Sequence, residues 1–132
     1  MPLKILAVAI GLAFALPGAS HAQHKQHDHA SHPDKGRNGG QMVSAGDFHI
    51  ELIANDGVVD VYVSDHDDKP VKIAGFKGLA ILSVGGKSQR ITLEVVADGS
   101  RLTGKAGGAL PDQPKGVVQI TPPNGKTVSA KF

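Results

Sequence analysis

Asp47 to Asp65 reads DFHIELIANDGVVDVYVSD, and this stretch decides the fold. Phe48, Ile50 and Leu52 alternate with His49 and Glu51, the period-two pattern of a strand with one apolar face. Asn55-Asp56-Gly57 interrupts the run, with Gly57 free to take a positive φ, and Val59, Val61 and Val63 alternate on the way back. Two alternating strands around such a turn predict a β-hairpin. No window from Gln41 onward has helical spacing.

Working outward toward the C-terminus, His66 to Pro70 is the next turn. Val71 to Ala74 is a short strand, expected at an edge because Pro70 has no N–H for a ladder. Leu79–Val84 and Gln89–Val96 form a second pair around Gly85-Gly86-Lys87, with Ile91, Leu93 and Val95 inward and Thr92 and Glu94 outward. Ala97-Asp98-Gly99-Ser100 turns the chain into Arg101–Ala106. Gly107–Lys115 is a loop, and Gly116–Thr121 and Thr127–Phe132 close a final hairpin around Pro122-Pro123-Asn124-Gly125. Seven to nine short strands joined by tight turns predict an all-β domain over 41–132, an antiparallel immunoglobulin-like sandwich, with an open barrel as the alternative. A chain of 132 residues suits one such domain. With 4% aromatic residues and no Trp, the core must be aliphatic.

Toward the N-terminus the composition changes. Met1 to Ala22 has the form of a secretory signal peptide: Lys4, then apolar Ile5–Leu16, then the breakers Pro17 and Gly18. Ser20 and Ala22 stand at the −3 and −1 positions, so cleavage is expected after Ala22. The apolar run is too short to span a membrane, and no second one follows. The mature chain is therefore expected to be periplasmic, without a membrane span.

Gln23 to Gly40 is polar and without apolar periodicity, so it is expected to be a flexible segment between signal peptide and domain. It carries His24, His27, His29 and His32, four of the seven histidines. Imidazole suits Cu(II), Zn, Ni and Co, and His-rich tracts are a compositional sign of metal binding. His27 and His29 share a face in an extended chain, a turn can bring His24 to His27, and Asp28 and Asp34 can add oxygens. A free amine at Gln23 would place His24 second, where amine, amide and imidazole can chelate Cu(II) in a plane; cyclisation of Gln23 would remove that amine. The opposing interpretation of the segment is an inert spacer.

Within the domain, His49, Glu51 and His66 are the further metal candidates. His49 and Glu51 lie two apart on one strand face, where they can chelate or act as an acid–base pair. Ordinary strand patterning favours a solvent-facing polar stripe for both. Asp65-His66-Asp67-Asp68 lacks the alternating oxygens and the Gly of an EF-hand, and such residues ordinarily serve turns. With no Cys, disulfides, thiolate sites and cysteine nucleophiles are excluded. No G-x-S-x-G, H-E-x-x-H or phosphate loop is present, so catalysis is not expected, nor an organic cofactor. The net charge is +2 and basic residues are scattered singly, which argues against nucleic acid.

The run Asn38–Val71 resembles a small β domain associated with bacterial heavy-metal efflux, found as short secreted proteins and near the N-terminus of some periplasmic adaptor subunits. Gly39-Gly40, Glu51-Leu52-Ile53, Tyr62-Val63-Ser64-Asp65 and Asp68-Lys69-Pro70 carry the resemblance. The family's His before Gly-Gly is Asn38 here. The resemblance implies a role near metal export or resistance, as carrier, buffer or accessory, with an efflux adaptor or transporter component as partner. The expected function is thus periplasmic divalent-metal binding. The alternative is a non-catalytic protein-interaction module with an inert histidine-rich spacer.

Overall fold

The hairpin read from Asp47–Asp65 forms as one strand over Phe48–Asn55 and another over Val58–Ser64, with Asn55 paired to Val58. Asp56 and Gly57 turn the chain at φ 49° and 76°. Two successive positive φ values give a turn whose twist matches the strands it joins. In the computed structural model, residues 34–132 are described. The expected signal peptide at 1–22 and the histidines His24, His27, His29 and His32 lie outside them.

The described chain is all-β, with no helix. Its nine strands are β1 (Asp34–Lys35), β2 (Gln41–Ala45), β3 (Phe48–Asn55), β4 (Val58–Ser64), β5 (Lys77–Val84), β6 (Lys87–Val95), β7 (Leu102–Lys105), β8 (Gly116–Thr121) and β9 (Val128–Lys131). They form one curled antiparallel sheet in the order β1-β2-β3-β4-β7-β6-β5-β8-β9. β6 is where the sheet turns: Lys87 to Leu93 pair with β5, and Glu94 and Val95 pair with β7. The curl brings β2 against β9, so closely that a Cβ on Gly46 would lie 2.7 Å from Val128 Cγ1. Gln41 Nε2 donates to the buried Pro114 carbonyl at 3.4 Å, tying β2 to the loop before β8.

One core fills the curl. Ile50 and Leu52 of β3 and Val59 and Val61 of β4 share it with Leu82 of β5 and Ile120 of β8, all essentially solvent-free. Each such aliphatic side chain contributes about 1.5–3 kcal/mol when buried. The inward set expected on β6 is found at Ile91 and Leu93, while Val95, where β6 leaves β5 for β7, is only partly covered.

Two expectations change. Val71–Ala74 is not a strand. Ser64 and Pro70 form an isolated bridge, the Val71 N–H donates to Val63 O at 3.1 Å, and pairing stops there. Pro70 cannot continue a ladder, and Ile73 instead turns inward to 1% exposure. Phe76, just beyond, meets Phe48 edge-on with ring centroids 6.0 Å apart, closing that end of the core. The second change is at the boundary. Asp34 and Lys35, expected in the flexible segment ahead of Gln41, pair with Met42 and Gln41. Among the described residues no helix is long and apolar enough to cross a membrane.

Candidate metal site on the outer face of β3

Glu51 projects from the side of β3 opposite the core, yet it is 5% exposed. The solvent-facing stripe expected there is not what forms. The turn Gly36–Gly40 folds over the carboxylate, closed by the Gly36 N–H on Gly40 O at 2.8 Å and the Gly39 N–H on Gly36 O at 3.1 Å. Oε1 accepts from the Asn38 N–H at 2.9 Å and the Gly40 N–H at 2.8 Å, and Oε2 accepts from Asn38 Nδ2 at 2.9 Å. Burying a carboxylate without such donors would cost several kcal/mol. Gly36 must be glycine, because a Cβ there would meet Glu51 Cδ at 2.1 Å. Asn38 is thus a donor to Glu51 through both its backbone and its side chain. Both oxygens are engaged by donors of this turn.

His49 precedes Glu51 by two residues on the same face and is partnered elsewhere. Its Nδ1 lies 2.7 Å from Asp68 Oδ1, with the His49 side chain 17% exposed. The expected His49–Glu51 pair is therefore replaced by His49–Asp68. A carboxylate accepts, so Nδ1 carries the hydrogen, and a neutral ring then has its lone pair on Nε2. This is how metal-binding histidines are oriented: a carboxylate on one ring nitrogen fixes the tautomer that leaves the other to the ion. His66 is exposed, and its ring stands edge-on to His49 with centroids 5.4 Å apart.

The Asp65–Lys69 turn holds this geometry. Asp65 Oδ1 accepts from the Lys69 and Asp67 N–H groups, each at 2.9 Å. The Lys69 N–H holds the Asp65 carboxyl below its ordinary range; desolvation opposes this, while the Asp67 N–H and the nearby Lys69 and His66 charges add to it. Asp68 takes φ 59°, which an aspartate tolerates, and this bend accompanies the turn of its carboxylate toward β3. The turn reading of Asp65–Asp68 thus holds for Asp65, while Asp68 also positions His49. Arg37 Nη1 donates to the Asp68 carbonyl at 2.7 Å, joining this turn to the one over Glu51.

Beside these residues lies a shallow groove of about 260 Å³, bounded by Arg37, Met42, Tyr62, Pro70 and Ser100. Near its far end Arg101 Nε donates to Asp60 at 3.0 Å, and this bond and the Asp60 charge raise the Arg101 pKa.

Sequence reasoning singled out His49, Glu51 and His66. The structure brings His49 and His66 together and separates Glu51 from both in role. Asp68 and the Gly36–Gly40 turn were missed as parts of the site. The available signal was the glycine-rich Gly36-Arg37-Asn38-Gly39-Gly40 run just ahead of a strand, which is turn chemistry; nothing in it points to Glu51 as the group enclosed. Among the described residues no three or more His, Cys, Asp or Glu side chains gather as metal ligands. His49 and His66 bring two imidazoles close together, and imidazole is a donor that suits Cu(II), Zn, Ni or Co. Compared with protein-family models, curated proteins and solved structures, the chain finds no match.

Proposed function

We propose that this chain is a periplasmic divalent-metal-binding protein, serving as carrier, buffer or accessory in heavy-metal efflux or resistance. In this reading His24, His27, His29 and His32 supply most of the ligands, and His49 with His66 supplies the fixed part. The observation that carries it is the 2.7 Å contact of Asp68 with His49 Nδ1, beside the His66 ring. The sequence between Met1 and Ala22 supports export, and the resemblance of Asn38–Val71 supports a place beside an efflux adaptor or transporter component. The architecture we infer is the immunoglobulin-like sandwich, with β1–β4 and β7 as one layer and β5, β6, β8 and β9 as the other. A single core shared by strands of both groups supports it.

Calorimetric titration with Cu(II), Zn(II) and Ni(II) tests the function, comparing the chain with a variant whose His24, His27, His29 and His32 are Ala. Tighter binding by the unaltered chain is expected. Equal millimolar affinities for the two would overturn the role given to the segment.

One observation favours the alternative, a non-catalytic interaction module. Arg90, Ile81, Val117 and Lys131 are register partners in a row across β6, β5, β8 and β9. Ile81 and Val117 are only partly covered, between two exposed cations. A face of this composition suits an acidic protein partner.

A further inference from the structure

We propose that the end of the curled sheet where Phe48 meets Phe76 is a binding site for a small apolar molecule carrying one carboxylate, of the class of a medium-chain fatty acid. This site is separate from the metal-binding reading above and shares no residue with His49, His66 or Asp68.

The first support is a preformed cleft. Three loops meet there: Gly46 and Asp47 between β2 and β3, Val71 to Phe76 ahead of β5, and Pro122 to Lys126 between β8 and β9. β2 and β9 stand near opposite ends of the strand order, so only the curl brings these loops together. Each is held by its own contacts. The Phe76 N–H donates to Ile73 O at 2.9 Å, and Thr121 Oγ1 and Thr127 Oγ1 share a hydrogen bond of 2.7 Å across the base of the β8–β9 turn. Gly75, at φ 79°, lies so close to that turn that a Cβ on it would be 3.3 Å from Pro123 Cγ. The cleft has a volume of about 730 Å³. That is the size of a small-molecule site, and the mouth of a closed sheet is a usual place for one.

The second support is the lining. Phe48, Val71, Phe76 and Val128 pack on the core yet are only partly buried, and all four open into this cleft beside Pro122 and Pro123. The two phenyl rings stand edge-on with centroids 6.0 Å apart, which leaves ring surface for an aliphatic guest. Covering these side chains would remove apolar surface from water, the main favourable contribution to binding.

The third support is charge. Lys72 and Lys126 line the rim and are exposed, with Asp47 as the one acid beside them. Among the described residues ion pairs form only at His49–Asp68 and Arg101–Asp60, so neither lysine is neutralised by a carboxylate. An apolar floor below two unpaired ammonium groups is complementary to a molecule with an aliphatic body and an anionic head. The lysine stems can lie along the body while their charges stay in water with the head.

The test is calorimetric titration of the full chain with decanoate below its micellar concentration, followed in parallel by heteronuclear NMR. Saturation at one decanoate per chain is expected, with shifts gathered at Phe48, Val71, Phe76 and Gly125. Octanoate should bind about 4–15-fold more weakly, because each methylene taken fully from water is worth about fourfold. Lys72→Ala combined with Lys126→Ala should weaken decanoate about tenfold, and Lys72→Arg with Lys126→Arg should restore it. Both lysines are exposed, so these variants keep the fold. Decylamine should bind more weakly than decanoate. No decanoate binding, shifts centred elsewhere, or equal affinity for decanoate and decylamine would overturn the inference. Concentration-dependent self-association that shifts the same residues without ligand would also overturn it, by giving the cleft to a second copy of the chain.

Discussion

Asn38 gives both its backbone N–H and its side-chain amide to Glu51, each at 2.9 Å. This double contact, with the Gly40 N–H, makes a carboxylate on a strand's outer face a buried group. Removing it should be felt. Glu51→Ala leaves the Asn38 and Gly40 N–H groups without their acceptor under the turn, at a cost of about 1–3 kcal/mol. Urea unfolding of the variant should show a lower midpoint at similar slope.

Gly36 sits on the other side of the same contact. Gly36→Ala would place a methyl 2.1 Å from Glu51 Cδ, against a side chain held by three bonds. Overpacking of this kind costs about 1–3 kcal/mol. The expected outcome is a lower melting temperature. Gly39→Ala, at φ 87° with open space around the new atom, would be strained by backbone conformation alone.

Asp68 Oδ1 lies 2.7 Å from His49 Nδ1 and orients its ring. Asp68→Asn keeps the shape but weakens the orientation of the imidazole, so metal affinity should fall about 10-fold or more with little change in melting temperature. Parallel calorimetric and thermal measurements check both halves of this. Unchanged affinity would remove Asp68 from the site.

The C-terminal strand belongs to the core. Ala130 and Phe132 are 1% and 7% exposed, and Phe132 exchanges backbone hydrogen bonds with Gly116 at 3.2 and 2.9 Å. Phe132→Ala should cost about 3–5 kcal/mol. Deletion of Val128 to Phe132 should abolish the cooperative thermal transition altogether.

Two turns should respond to acid. The Asp65 carboxyl is held below its ordinary 3.8 chiefly by the Lys69 N–H, and that of Asp98 chiefly by the Ser100 hydroxyl. A depressed folded-state value means these carboxylates bind protons more weakly folded than unfolded. Their contribution to stability is therefore full above about pH 3.8 and lost as pH falls through the lowered values. Carboxyl titration by NMR should place both midpoints below 3.8. Asp65→Asn and Asp98→Asn should each flatten the acid limb of the stability curve.

Much of the sheet could be read from residue order because a strand's two faces declare themselves locally. Phe48–Leu52, Val59–Val63 and Ile91–Leu93 alternate, and Asp56-Gly57 and Gly85-Gly86 can take the positive φ that short hairpins need. Val71–Ala74 misled for a local reason as well: its composition suits a strand, but Pro70 ends the pairing and Ile73 is drawn inward by the core. β1 was illegible because Asp34-Lys35 has no strand propensity; it pairs only because the turn over Glu51 holds it beside Met42.

The sequence by itself determined the all-β, antiparallel character of this protein, the positions of most hairpins and the aliphatic nature of the core. It did so because alternation and turn chemistry are properties of neighbouring residues. It also named His49 and His66. Only the tertiary structure decided what those residues touch. Asp68 reaches His49 across 19 positions, and Asn38 encloses Glu51 across 13. Such pairings depend on how a sheet curls and where a loop crosses its face, and these long-range contacts leave no periodic trace in the chain. They bury Glu51 beneath a turn of donors, and they made an ordinary acidic turn the support of an imidazole.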